Sequence, residues 1–164
     1  KASLWALDIL AEEGFAYDAS INPAVLARFW VPDFPAQPVN LRLRDGRSLV
    51  ELPVATLKLF GRRLPVAGGG YHRLPPFPFI RWVIEKTVLA GDAFVAYCHP
   101  YEFDPDEFAH LGYALPLKTR LHQGLGRRGF EGKFRQMLKE FETISALQLA
   151  GRAEWPRHEL AVER

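Results

Sequence analysis

The chain has 164 residues, 48% of them hydrophobic and 13% aromatic, with 21 Lys and Arg against 19 Asp and Glu. That is room for one domain with a real core, and it excludes a disordered chain, which needs fewer apolar residues and more net charge. The near-balance of charge does not call for nucleic acid or a membrane surface as partner. No apolar run approaches the roughly 20 residues of a membrane span, and the single cysteine, Cys98, excludes an internal disulfide.

The chain opens Lys1-Ala2-Ser3, without methionine and already inside an expected helix, and so reads as a fragment or processed chain. Compartment is therefore left unassigned. Ser3 is a suitable cap, Leu4, Leu7 and Leu10 share one face, and Gly14 closes the helix. Phe15 to Ile21 reads as a short strand and turn. Residues 22 to 37 read as a long ordered loop, with prolines and the aromatics Phe29, Trp30 and Phe34. Val39–Leu43 and Ser48–Leu52 form a hairpin around Asp45-Gly46.

Pro53 to Phe60 is expected to be a short helix. Gly68-Gly69-Gly70 permits backbone shapes closed to other residues. Pro75 to Ala90 reads as a helix with Phe79, Ile80, Val83, Ile84 and Val88 as its apolar residues. Asp92 to Cys98 reads as a buried strand that delivers His99 to a sheet end, where α/β enzymes usually place their chemistry. Lys118 to Arg128 holds a basic helix or turn. Phe130, Phe134, Met137, Leu138 and Phe141 mark an amphipathic helix. Residues 1–145 are read as one domain and 146–164 as a polar tail, frayed from Gly151. The alternation of helix and strand argues α/β with a hairpin insertion.

Several residues carry possible chemistry. An imidazole can donate a proton to a leaving group near neutral pH, so His99 can be a catalytic donor, or it can be a buried histidine bonded to a carbonyl. The residues alone leave both open. Glu102 and Asp104 can orient it or be solvated loop acids. Asp18 can tune an imidazole or close an Asx-type turn with Ser20. The triglycine followed by Tyr71, His72 and Arg73 offers free backbone, a ring face and a guanidinium, a mixture suited to sugars; a tight turn is the plain alternative. Seven bases and one acid, Glu131, lie between Lys118 and Lys139. They form a polyanion site or the solvated face of a packed helix. The five histidines show no His-x-x-x-His spacing and no cysteine pair.

Taken together, certain strings resemble the NodB-type polysaccharide deacetylases (carbohydrate esterase family four), most closely the subgroup associated with exopolysaccharide and exosortase loci. They are the run from Ser3 to Ile21, Glu51-Leu52-Pro53, the run from Gly61 to Pro75, His99-Pro100-Tyr101-Glu102-Phe103-Asp104-Pro105, and Arg120 to Arg128. They occur in the family's order over residues 3 to 145.

The resemblance implies the C-terminal portion of a distorted (β/α) barrel and hydrolysis of N-acetyl groups from amino sugars. It also implies a divalent metal, zinc being usual, which polarises the acetyl carbonyl and activates water. His99 matches the late histidine that protonates the departing amine, and Asp18 falls in the region of the family's fourth motif, which packs around it. Gly70, Tyr71, Arg73 and Tyr101 are then the expected sugar-binding residues. The family's Thr-Phe-Asp-Asp, His-x-x-x-His and Arg-x-Pro strings are absent. The expectation is thus an inactive portion of a metal-dependent enzyme, binding no metal itself, with an amino-sugar polysaccharide as partner. A half-barrel with exposed apolar edges also points to self-association.

Two other readings stand beside it. One is a non-catalytic carbohydrate-binding module using Trp30, Tyr71, Trp82 or Tyr101 as stacking platforms. The other is a basic interaction domain over Lys118 to Lys139.

Overall fold

The computed structural model describes residues 4–24, 31, 34–152 and 154–160. The expected cap Ser3 and the aromatics Phe29 and Trp30 lie outside them. Helix α1 (Ala6–Glu12) lays the buried Leu7, with Leu4 and Leu10, against a four-stranded sheet. The sheet contains β1 (Tyr17–Asp18), β2 (Val39–Arg42), β3 (Ser48–Glu51) and β6 (Arg157–Glu159), in the order β1-β3-β2-β6. β2 and β3 are antiparallel, with Val39 opposite Glu51 and Arg42 opposite Ser48, while β1–β3 and β2–β6 are parallel.

The β2–β3 hairpin forms where Asp45-Gly46 signals it. Gly46 has a φ of 87°, and Asp45 Oδ1 accepts the Arg47 N–H at 2.9 Å. Alternate residues Val39, Leu41 and Leu49 turn inward with Ile21 and Phe34 to make the principal core. The sheet is open, and the architecture is mixed α/β without barrel closure among the described residues.

Three expectations fail. Pro53 to Phe60 is not a helix. Thr56–Leu59 is strand β4, paired antiparallel with β5 (Arg62–Pro65). The hairpin turns on Phe60 and Gly61, both at positive φ (49° and 76°), the geometry of a two-residue primed turn. A Phe-Gly pair gives a weaker signal for that turn than Asn-Gly. Phe60, 95% exposed, stands at the tip.

Asp92 to Cys98 is not a buried strand. It is extended without a ladder, and its tie to the neighbouring chain is the Ala55 N–H donating to the Val95 carbonyl at 3.2 Å. Phe94 packs on the core while Tyr97 is exposed. An apolar run reports what its side chains bury, not whether its backbone pairs. The tail, in turn, is not simply frayed, because Arg157–Glu159 adds β6 to the sheet edge beside β2.

Helices form at the expected places near Pro75–Ala90, Lys118–Arg128 and Phe130–Phe141, and two short helices, at Gly69–Arg73 and Ala146–Ala150, form where none was expected. Helix α2 (Gly69–Arg73) is short. Helix α3 (Phe77–Leu89) buries Phe77, Ile80, Val83 and Ile84, with Phe79 and Val88 exposed. Helices α4 (Leu117–Gly124) and α5 (Arg127–Glu140) follow, and α6 (Ala146–Ala150) is capped by Ser145, whose Oγ accepts the Gln148 N–H. In α5, Phe130 and Met137 are buried and Phe134 packs beside them, while Leu138 faces out.

Candidate functional site

The triglycine, the His99 loop and the end of α4 meet at one cleft of about 460 Å³, within the size range of small-molecule sites. The loop enters it through His99-Pro100, and Pro100 opens a 3-10 turn that runs to Phe103. The turn folds Glu102 back beneath His99. The Glu102 N–H donates to the His99 carbonyl at 3.0 Å, and the His99 N–H donates to Glu102 Oε2 at 2.9 Å.

Glu102 is 1% exposed, so its charge requires a partner, and Arg73 supplies one with Nε 3.4 Å from Oε1. The carboxylate fills the space over α2. A Cβ on Gly69 would lie 1.6 Å from Glu102 Oε2, so only glycine fits there. Gly68, with a φ of 112°, packs its Cα face against the Tyr97 ring.

A second buried guanidinium completes the floor. Arg127 donates through Nε to the Gln123 carbonyl at 2.7 Å and through Nη1 to Glu107 Oε2 at 2.6 Å. Its guanidinium carbon also lies 4.9 Å from the Tyr101 ring centre and 4.5 Å from that of Phe108. Arg73 Nη1 donates to the same Gln123 carbonyl. Lys133 Nζ donates to the carbonyls of Arg73 at 2.6 Å and Pro75 at 2.7 Å. Arg127 and Lys133 are thus spent on internal bonds, and Arg135 pairs with Glu131, so the basic run from Lys118 to Lys139 is not one free cationic face.

Above this floor the His99 ring is exposed. It stacks on Tyr101 at 5.2 Å between centroids and 9° between planes, with Tyr97 edge-on at 5.8 Å. Partial burial, then the neighbouring Tyr71 and Glu102, pushes the Tyr97 hydroxyl above its ordinary pKa. Gly70, Tyr71, Arg73 and Tyr101 all line the same cleft as His99. Leu121, His122 and Leu125 of α4 and its C-terminal cap form the rest of the wall, and sequence reasoning gave these no site role. It gave Glu102 no place beneath the backbone either.

Asp18 is elsewhere. It does not line this cleft, and its Oδ2 accepts Ser20 Oγ–H at 2.5 Å and Ser20 N–H at 3.2 Å, the Asx-type arrangement. In the β1–β3 register it lies opposite Glu51, which is fully buried. Glu51 Oε1 accepts the Ile21 N–H at 2.9 Å. Burial and then the nearby Asp18 push its carboxyl up to about 9, so it is protonated at neutral pH.

Trp82 lines an adjoining apolar groove with Phe79 and Leu64, which shares Gly70, Tyr71 and Leu74 with the cleft. Among the described residues no three His, Cys, Asp or Glu side chains converge as a metal site. Among the described residues no helix is long and apolar enough to cross a membrane.

No curated protein and no solved structure matches the chain significantly. The profile of one family, described as a domain of unknown function, matches residues 19–150. That match is consistent with the broader NodB-like deacetylase grouping suggested by the strings. The chain belongs to this family, DUF3473, and the His99 cleft lies within the matched region.

Proposed function

We propose that the chain is the sugar-binding, proton-donating portion of a polysaccharide deacetylase that hydrolyses N-acetyl groups of amino sugars. The observation that carries this reading is the convergence of His99 with Gly70, Tyr71, Arg73 and Tyr101 on one cleft. The His99 backbone is fixed by Glu102, while its ring stays exposed against Tyr101. An imidazole on a rigid floor, open to a cleft, suits proton donation to a departing amine, which contributes about 10²–10⁴-fold to a rate. Tyr71 and Tyr101 offer faces to pyranose rings, and the Gly70 backbone lets a ligand approach closely.

In this reading the metal and the general base belong to a parent protein carrying the strings this chain lacks. Asp18 lies outside the cleft and takes no part in this reading.

Zinc or cobalt titration tests the division of labour. The chain alone is expected to bind neither metal stoichiometrically, and tight one-to-one binding by its own residues would overturn the assignment. Acetate release from N-acetylated oligosaccharides by the parent separates an enzyme from a module that only binds glycans. Release of acetate supports the reading, whereas glycan binding without release rejects it.

A further inference from the structure

The string from Arg120 to Arg128 has no role in proton donation, yet several devices fix it in place. Its Gln123 carbonyl takes hydrogen bonds from two buried guanidiniums, Arg73 Nη1 and Arg127 Nε. A Cβ on Gly124 would lie 2.9 Å from the Phe108 ring. Gly126 holds a φ of 81°, and a Cβ there would meet the Arg73 carbonyl oxygen at 2.6 Å. These contacts clamp the end of α4 against α2. Among the exposed side chains of this string, Leu121, His122 and Leu125 line the cleft.

Charge around the cleft is the second observation. Arg73 and Glu102 are buried against each other, and among the described residues no other carboxylate lines it. An ammonium entering the cleft meets no free counter-ion. An uncharged polyhydroxylated ring meets the faces of Tyr71 and Tyr101, the aliphatic Leu121 and Leu125, and an imidazole that can donate or accept.

We propose that the end of α4 is the second wall of a saccharide subsite. His122 hydrogen-bonds one uncharged N-acetylated pyranose held between the His99–Tyr101 wall and Leu121–Leu125, and the corresponding free amine binds less well. The inference rests on reading the cleft as an amino-sugar site and adds His122 and a charge preference to it.

The test is an NMR titration of the chain with tri-N-acetylchitotriose and with its fully de-N-acetylated form at pH 7, following the ring protons of His99, His122, Tyr71 and Tyr101. Shifts at both histidines with the acetylated sugar are expected, together with at least fivefold weaker binding of the amine. His122→Ala, at an exposed position, should raise Kd about tenfold, the worth of one good hydrogen bond, and His122→Gln should recover part of that loss. Shifts at His99 and Tyr101 with an unchanged Kd in His122→Ala would overturn the role of His122 and leave the cleft reading standing. Equal binding of the amine would overturn the charge preference. No shift at any cleft residue would overturn the amino-sugar reading and this inference together.

Discussion

The sheet region and the cleft region each bury one glutamate and answer its charge in opposite ways. Glu51, at the end of β3, has a backbone N–H and a second carboxylate, Asp18, as its neighbours, and it resolves the conflict by keeping its proton. Glu102, under His99, has Arg73 beside it and a backbone N–H to accept. The first arrangement makes a neutral plug between β1 and β3. The second fixes a loop backbone while leaving the imidazole above it free. The buried acid beside another acid is neutral, whereas the buried acid paired with a cation lies beneath an exposed histidine.

Breaking the cleft pair should have the largest effect. Glu102→Gln keeps the volume but strands Arg73 as a buried charge, and a loss of about 3–5 kcal/mol is expected in chemical denaturation. A loss under 1 kcal/mol would mean that the ion pair does not organise the floor.

Glu51→Gln should act in the reverse direction. The unfolded chain releases this proton from about pH 4.5, while the folded chain holds it to about pH 9. Wild-type stability therefore falls as pH rises across that window, by at most about 1.4 kcal/mol per unit. The amide carries no such penalty, so at pH 8 the variant should be more stable by about 2–4 kcal/mol. Its melting temperature should also vary less between pH 5 and 8. Parallel pH profiles for the two proteins would show that Glu51 ionises freely.

Gly126→Ala sharpens the comparison on the cleft side. A Cβ there meets the Arg73 backbone and favours leaving the left-handed conformation, which predicts a loss of about 1–3 kcal/mol. Equal stability would show that the junction of α4 and α5 is not clamped to α2.

The two regions also differed in how much of each was legible beforehand. The β2–β3 hairpin, α3 and α5 followed from alternation, a turn dipeptide and helical spacing, because those signals are local. The cleft was half legible. His99, Tyr71, Arg73 and Tyr101 announce themselves by residue type, and the family strings placed them in order. Glu102 was legible as either an orienting group for His99 or a solvated loop acid, and the choice depends on Arg73, distant in sequence. The Gln123 carbonyl that gathers two guanidiniums has no side-chain signature at all. The strand expected at Asp92–Cys98 failed for the same reason, since pairing is settled by neighbours that composition does not name. Asp18 was legible as an Asx-type turn, and its position opposite Glu51 emerged only with the β1–β3 register.

The central claim is that the cleft floor exists to hold a replaceable, exposed imidazole. The most direct measurement pairs acetate release by the metal-loaded parent with unfolding of the same protein for His99→Ala. Turnover is expected to fall about 10²–10⁴-fold, with stability within about 0.5 kcal/mol of wild type and metal content unchanged. Turnover near the wild-type rate would contradict the assignment of His99 as the proton donor.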